Sequence, residues 1–285
     1  MTTEPQKMNR RSFLKKGSRM FLSLLGAGML GAYPFVGERF WYRVRKIPLT
    51  IEKLPKAFEG WKIVQFSDLH FGFHYGVEEF RRVVKIINGL KPDIIFFTGD
   101  LVNTGYQSPH LAVPLLQELN APRGGKWAVL GNHDYMSRAK VIDSFHKSQF
   151  EVLINNHGVI EENGQRIYIA GIDDVMYGNY NIAKAVEPLS DQDCVLFLAH
   201  EPDIAQLSYK HGISAQFSGH SHGGQIRLPF FGPIITQKMA EVYEDGLYAV
   251  GESKMPLYVN RGIGTANLPV RFFCRPEITV FYLSS

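Results

Sequence analysis

Five short apolar runs in this 285-residue chain end in the same way, on Asp, Asn or His. "VQFSDLH" closes on Asp68 and His70, and "IIFFTGD" on Asp100. "WAVLGNHD" closes on Asn132, His133 and Asp134, "VLFLAH" on His200, and "AQFSGHSH" on His220 and His222. Any one of these has an ordinary explanation: an Asp after Gly can be a turn or a cap, and a lone His is more often structural than ligating. Chance does not account for five core strands that all finish so. His74, His110, His146, His157 and His211 lack the context and receive no ligand role. Carboxylate oxygen with imidazole nitrogen and no thiolate suits manganese, iron or zinc. Calcium or magnesium would want more oxygen, and a structural zinc site would usually show Cys. Seven candidate ligands exceed the three or four that one catalytic ion takes. Two divalent ions, about 3.5–4 Å apart and bridged by a carboxylate, are the economical solution.

The elements that must position these groups alternate between strand and helix. "GWKIVQFSD" reads as a Gly-bounded strand. "VEEFRRVVKIINGL" carries Val77, Phe80, Val83, Val84 and Ile87 on one helical stripe and stops near Gly89 and Pro92. "DIIFFTGD" and "KWAVLGNHD" read as strands, with helices expected in "HLAVPLLQELN" and "SRAKVIDSFHKSQF". Short strands follow in "EVLINN", "GVIEE" and "RIYIAGIDD", then strand "DCVLFLAH", helix "EPDIAQLSYKHG" and strand "SAQFSGH". After Gly224 no strong helix appears, and "QIRLP", "LYAVGES", "PLYVNRG" and "EITVFYLSS" are strand-like. Such alternation predicts an α/β fold with mostly parallel strands covered by helices, and ligands in that class bind beyond the carboxyl ends of the strands. The strand-end groups should therefore converge. With no repeat and no break in composition, residues 47–285 read as one domain behind an N-terminal arm of residues 1–46.

In order, the motifs "DLH", "GD", "GNHD", "H" and "GHSH" resemble those of the calcineurin-like metallophosphoesterases, over roughly residues 60–284. "GHSHGGQIRLP" and "RGIGTANLPVRFFCRPEI" are most similar to a small bacterial subgroup with an N-terminal export or anchor segment, the YkuE/YaeI type. The resemblance implies a four-layer αββα sandwich with two central mixed sheets. It makes Asp68, His70 and His222 ligands of a first metal, Asn132, His200 and His220 ligands of a second, and Asp100 the bridge. His220 and His222 are expected on one side of an extended segment, where alternate residues share a face, with Gly219, Gly223 and Gly224 permitting a tight turn.

The implied reaction is in-line attack on phosphorus by a metal-activated hydroxide. His133 is the expected proton donor to the leaving oxygen, with Asp134 orienting its ring. Asn103 and Arg227 lie near the motifs and are candidates for phosphate contact.

Charge divides the chain. Up to Lys46 ten basic residues face two acidic ones, a local +8, which leaves −4 for the rest of a chain whose net charge is +4. A slightly acidic body lacks the basic stripe of a nucleic-acid binder, so no nucleic-acid partner is expected. In the arm, "NRRSFLKKG" resembles a twin-arginine export signal, with Asn9 replacing the usual Ser or Thr, and implies the export machinery as a partner. No charge follows from Met20 to Gly37, and "ERFWYRVRK" then has the composition of a membrane interface. The A-x-A cleavage pattern is missing, so an uncleaved anchor is expected, holding the body at the outer face of the cytoplasmic membrane. Cys194 and Cys274 form no framework. The expected function is a binuclear phosphomonoesterase or phosphodiesterase acting at the membrane on a phosphoester such as a phosphorylated lipid. Two alternatives stand beside it: a pyrophosphatase cutting UDP-2,3-diacylglucosamine on the cytoplasmic face, and a non-catalytic metal-binding scaffold.

Overall fold

Alternation along one strand shows how the layers arise. In a computed structural model that describes residues 10–106 and 108–285, strand Ile94–Thr98 buries every residue. Ile95 and Phe97 point into one apolar cluster, Ile94 and Phe96 into another. Successive side chains of a strand face opposite ways, so a strand apolar at every position must be covered on both faces.

The chain begins with helix α1 (Arg10–Ala32), a π-turn at Tyr33–Gly37 and a 3-10 turn at Glu38–Phe40. Then come β1 (Arg43–Thr50), β2 (Lys62–Phe66), α2 (Val77–Leu90), β3 (Ile94–Thr98), α3 (Val113–Glu118), β4 (Lys126–Val129), α4 (Arg138–Lys147) and β5 (Phe150–Val152). The second half holds β6 (Asn156–Glu162), β7 (Gln165–Gly171), α5 (Ile182–Val186), β8 (Val195–Leu198), α6 (Ala205–Ser208) and β9 (Ala215–Ser218). A small hairpin of β10 (Arg227–Leu228) and β11 (Gly232–Pro233) precedes β12 (Gly246–Val250), β13 (Met255–Val259) and β14 (Glu277–Ser284).

Two six-stranded mixed sheets result, ordered β1-β14-β2-β3-β4-β5 and β12-β13-β9-β8-β7-β6. Strands β2 to β5 run parallel to one another, as do β7, β8, β9 and β13. Between the sheets lie Ile63, Phe96 and Val129 from one side and Ile169, Leu196 and Phe217 from the other. Outside the first sheet, Phe80, Val83, Leu116, Val141 and Phe145 of α2, α3 and α4 close a second cluster. Outside the second sheet, Ile182, Ala185, Ile204 and Ala205 cover Phe197 and Leu257. This is the four-layer sandwich, with its outer layer on the second sheet reduced to short helices.

Three expectations need adjustment. The helix read in "EPDIAQLSYKHG" is a 3-10 turn, Pro202–Ile204, followed by the single turn of α6. The boundary expected after Lys46 falls inside β1, whose residues pair in register with β14 from Arg43↔Glu277 to Thr50↔Ser284. The uncharged run expected to span a membrane passes from α-helix into a π-turn at Tyr33. Its α-helical part, Met20–Ala32, is about 20 Å long at 1.5 Å per residue, against a hydrocarbon core of about 30 Å. Among the described residues no helix is long and apolar enough to cross a membrane. Asn9, which precedes the arginine pair, lies outside the described residues.

Candidate active site

Every strand-end motif lies just beyond a carboxyl terminus: Asp68 and His70 after β2, Asp100 after β3, Asn132 and His133 after β4, His200 after β8, His220 and His222 after β9. Both sheets contribute, so the groups meet over the seam between them. The backbone turns sharply there. Asp68, His70, Asp100, His220 and His222 all have left-handed φ values, between 47° and 67°. Side-chain-bearing residues rarely adopt this region, and where they do the strain gathers at functional sites. The turns are tied together by Asp68 N–H to Gly99 O (2.9 Å) and Gly219 N–H to His200 O (3.0 Å). Gly99, at φ 97°, is required twice over, since a Cβ there would collide with the His200 ring.

The expectation of an extended "HSH" segment is corrected here. His220 and His222 are left-handed, and Ser221 between them is right-handed helical (φ −64°, ψ −23°). The alternation turns the chain, so the two rings diverge. His222 Nε2 lies 3.0 Å from His70 Nε2 and 3.5 Å from Asp68 Oδ1. His220 Nδ1 lies 3.2 Å from His200 Nε2 and 3.1 Å from Asn132 Oδ1. Between the two groups stands Asp100, its Oδ2 at 3.5 Å from His70 Nε2 and 3.3 Å from His200 Nε2. Asp68, His70 and His222 offer ligand atoms close enough to share one ion, and so do Asp68, Asp100 and His200.

Hydrogen bonds on the far side of the rings set which nitrogen faces inward. His200 Nδ1–H donates to Thr98 O (2.7 Å), and His220 Nε2–H to Lys238 O (2.8 Å). His70 Nδ1 faces Asn103 Oδ1 at 3.3 Å. In neutral rings the opposite nitrogens, Nε2 of His70 and His200 and Nδ1 of His220, then turn lone pairs toward the centre. Such outer partners are what fix metal-ligating histidines. The donor set therefore fits divalent cations.

The electrostatics agree. Burial raises Asp68 to about 7 and lowers His70 to about 3 and His220 to about 4. Burial, His70 and the Arg271 guanidinium, 3.4 Å from Nδ1, hold His222 well below its usual range. Burial opposes ionisation of Asp100, yet His200, His133 and His70 outweigh it and hold the carboxylate well down. His200 is raised well above its ordinary value because Asp100 overcomes its desolvation. In the metal-free chain a proton on His200 thus supplies the positive charge that Asp100 requires, and metal binding would release it.

Of the remaining expected residues, His133 stands at the centre, its ring 4.6 Å from that of His70 and its N–H 2.8 Å from Asp100 Oδ1. Asp134 does not reach that ring. Its buried carboxylate accepts Gly131 N–H and Val102 N–H, each at 3.1 Å, and so ties the β4 loop to the β3 loop. The group that touches His133 is Thr104, with Oγ1 2.6 Å from Nδ1. Asn103 holds His70. Arg227 is paired with Asp245 (2.9 Å) and donates to Gly223 O (2.8 Å). Sequence reasoning missed Thr104 and the fully buried Arg271, whose guanidinium bonds to the carbonyls of Arg261, Gly264 and Cys274 behind His222. A buried arginine answered by carbonyls leaves no mark in sequence spacing.

Fold and site define a phosphoester hydrolase, and residues 62–224 match the family described as calcineurin-like phosphoesterase. The chain belongs to this family, whose members typically use two metals. It is 40% identical to the uncharacterized metallophosphoesterase YkuE of Bacillus subtilis, over 98% of this chain and 99% of that one. An uncharacterized metallophosphoesterase of Aquifex aeolicus is 33% identical, over 92% and 97%. UDP-2,3-diacylglucosamine pyrophosphatase LpxG of Chlamydia muridarum is 27% identical, over 80% and 86%. In fold alone the chain is similar to Haemophilus influenzae NAD nucleotidase, with a TM-score of 0.51 and 16% identity over 71% of this chain and 45% of that one.

Proposed function

We propose that this chain hydrolyses a phosphomonoester or phosphodiester at the membrane, outside the cytoplasm, using two divalent ions drawn from manganese, iron and zinc. Asp68, His70 and His222 would hold one, Asn132, His200 and His220 would hold the other, and Asp100 would serve both. One observation carries the reading: a single carboxylate oxygen of Asp100 lies within 3.5 Å of imidazole nitrogens from both groups. Bound there, the ions supply charge to the phosphoryl oxygens and acidify a water near neutral pH.

The protein's own part is orientation and proton transfer. Asp100 Oδ1 accepts the His133 N–H while Oδ2 faces the ligands, so the residue that unites the groups also places His133. Thr104 holds His133 at Nδ1, which leaves Nε2 as the atom to protonate a leaving oxygen. The arm, with Arg10 and Arg11, directs export and keeps the body at the membrane. The test is metal removal by chelation from the full-length protein, then reconstitution with manganese, ferrous iron or zinc. Two ions per chain and recovered hydrolysis of bis(p-nitrophenyl) phosphate or p-nitrophenyl phosphate are expected. One ion, or two without turnover, would refute it.

Similarity to LpxG favours a second reading, a pyrophosphatase for a nucleotide-linked lipid. It requires the body to face the cytoplasm.

A further inference from the structure

We propose that the hairpin of β10 and β11 enters the surface of a phospholipid bilayer, and that the pocket behind it receives the apolar part of the substrate. The substrate class is then an amphiphilic phosphoester drawn from that bilayer. The proposal rests on the phosphohydrolase reading for its chemistry but not for its membrane contact.

The observation is an apolar tip with nothing packed over it. Phe230 is fully exposed and Phe231 is 85% exposed, and Ile234 and Ile235 follow at 58% and 74%. Soluble proteins scatter such residues singly; a contiguous group marks an interaction surface. Backbone bonds tie the hairpin to the 266–273 loop, Arg227 N–H to Phe272 O (2.9 Å) and Phe272 N–H to Gln225 O (3.0 Å). That loop exposes Leu268 and Phe273.

The same loop also seats the arm. Arg271 N–H donates to Pro34 O (3.0 Å), and Phe273 N–H donates to Glu38 (3.0 Å). Arg275 stacks over exposed Trp41 at 4.0 Å. The end of α1, the 266–273 loop and the hairpin are thus one connected region. The arm seated here carries a charge of +8 along its sequence, and apolar residues together with a basic segment are the pairing that binds anionic lipid headgroups. A helix basic at one end and not apolar enough along its length to span suits a face lying on a bilayer better than a protein partner.

The pocket lies between this region and the turn that carries His220 and His222. About 130 Å³ in volume, it is walled by Ile226, Ile234, Ile235 and Leu268, and reaches Ser221 between His220 and His222. Apolar cavities of this order admit a benzene-sized group. A phosphate at the histidines would leave its hydrocarbon along Ile234 and Ile235, toward the tip that meets the bilayer.

The test uses the full chain carrying Phe230→Trp, and Leu247→Trp as a control at an exposed site on β12. Vesicles of phosphatidylcholine and phosphatidylglycerol, with the phosphatidylcholine brominated in its acyl chains, serve as probe. At Phe230 the added indole should shift to the blue and lose at least half its emission. At Leu247 it should change little. Equal quenching at both sites, or self-association abolished by Phe230→Ser, would overturn membrane entry, the latter assigning the tip to a second copy. For the pocket, dihexanoyl phosphatidic acid below its aggregation concentration should inhibit bis(p-nitrophenyl) phosphate turnover at least tenfold more tightly than glycerol phosphate. Equal potency would overturn the substrate class. Absent turnover in the two-metal protein would sink the phosphohydrolase reading and the substrate class with it, while the quenching result still decides membrane entry.

Discussion

Thr104 holds His133 from the rear: its Oγ1 is 2.6 Å and its backbone N–H 3.4 Å from Nδ1 of the ring. Since a backbone N–H can only donate, Nδ1 is the acceptor and the ring proton of neutral His133 sits on Nε2. An Asp in that place would have drawn the proton to Nδ1 instead. The arrangement keeps a ring proton on Nε2, where it can be shared with a leaving oxygen.

His133→Ala should therefore keep both metals and lose about 10²- to 10⁴-fold in rate on poor leaving groups. The loss should shrink for activated nitrophenyl esters, whose leaving group needs no proton. Thr104→Val should show the same leaving-group dependence with a smaller loss. Equal losses across leaving groups would move His133 to phosphate positioning, and loss of metal would place it among the ligands. Rates over a series of aryl esters, with metal analysis, decide.

Asp100→Asn should abolish turnover and release at least one ion per chain. An amide bridges two cations poorly, and the His200–Asp100 pair at 3.3 Å would lose its charge. Near-normal turnover with two metals retained would refute the binuclear assignment.

Asp68 sets a measurable cost on the metal-free fold. Its carboxyl titrates near 7 when buried, against 3.8 in the open chain. A raised folded value means stability that is present below about pH 4 and lost as pH rises through 7. In chelated protein, Asp68→Asn should thus melt several degrees above wild type at pH 8, a gain on the order of a few kcal/mol, and match it near pH 4. With metal added the order should reverse, because the variant lacks a ligand. Melting curves at both pH values, with and without manganese, test this.

Location is tested by Arg10→Lys with Arg11→Lys, which preserves charge but removes the guanidinium pair. Fractionation with protease protection should find wild type membrane-associated and outside the cytoplasm, and the variant inside. If both face the cytoplasm, export is wrong and the lipid-precursor pyrophosphatase becomes the better reading.

The sequence by itself determined which polar side chains gather at the strand ends and the strands that carry them, because that information is local. A buried strand must be apolar, the first polar residues past its end must lie at the sheet's edge, and parallel strands bring those edges together. It determined the four layers only through family resemblance. The resemblance alone divided the rings into two groups, and tertiary structure supplied the means: the left-handed turns at His220 and His222 split two neighbours that alternation would have placed on one face. It also decided the partners of the rings: Thr98 and Lys238 answer through backbone carbonyls, which every residue possesses and no motif can announce. Asp134 looked catalytic from its place beside His133, yet adjacent side chains point apart and its carboxylate meets two backbone N–H groups instead. Only the fold shows that the apolar residues Phe230, Phe231, Ile234 and Ile235 lie outside every core, since burial depends on what packs above a residue and no local pattern records it.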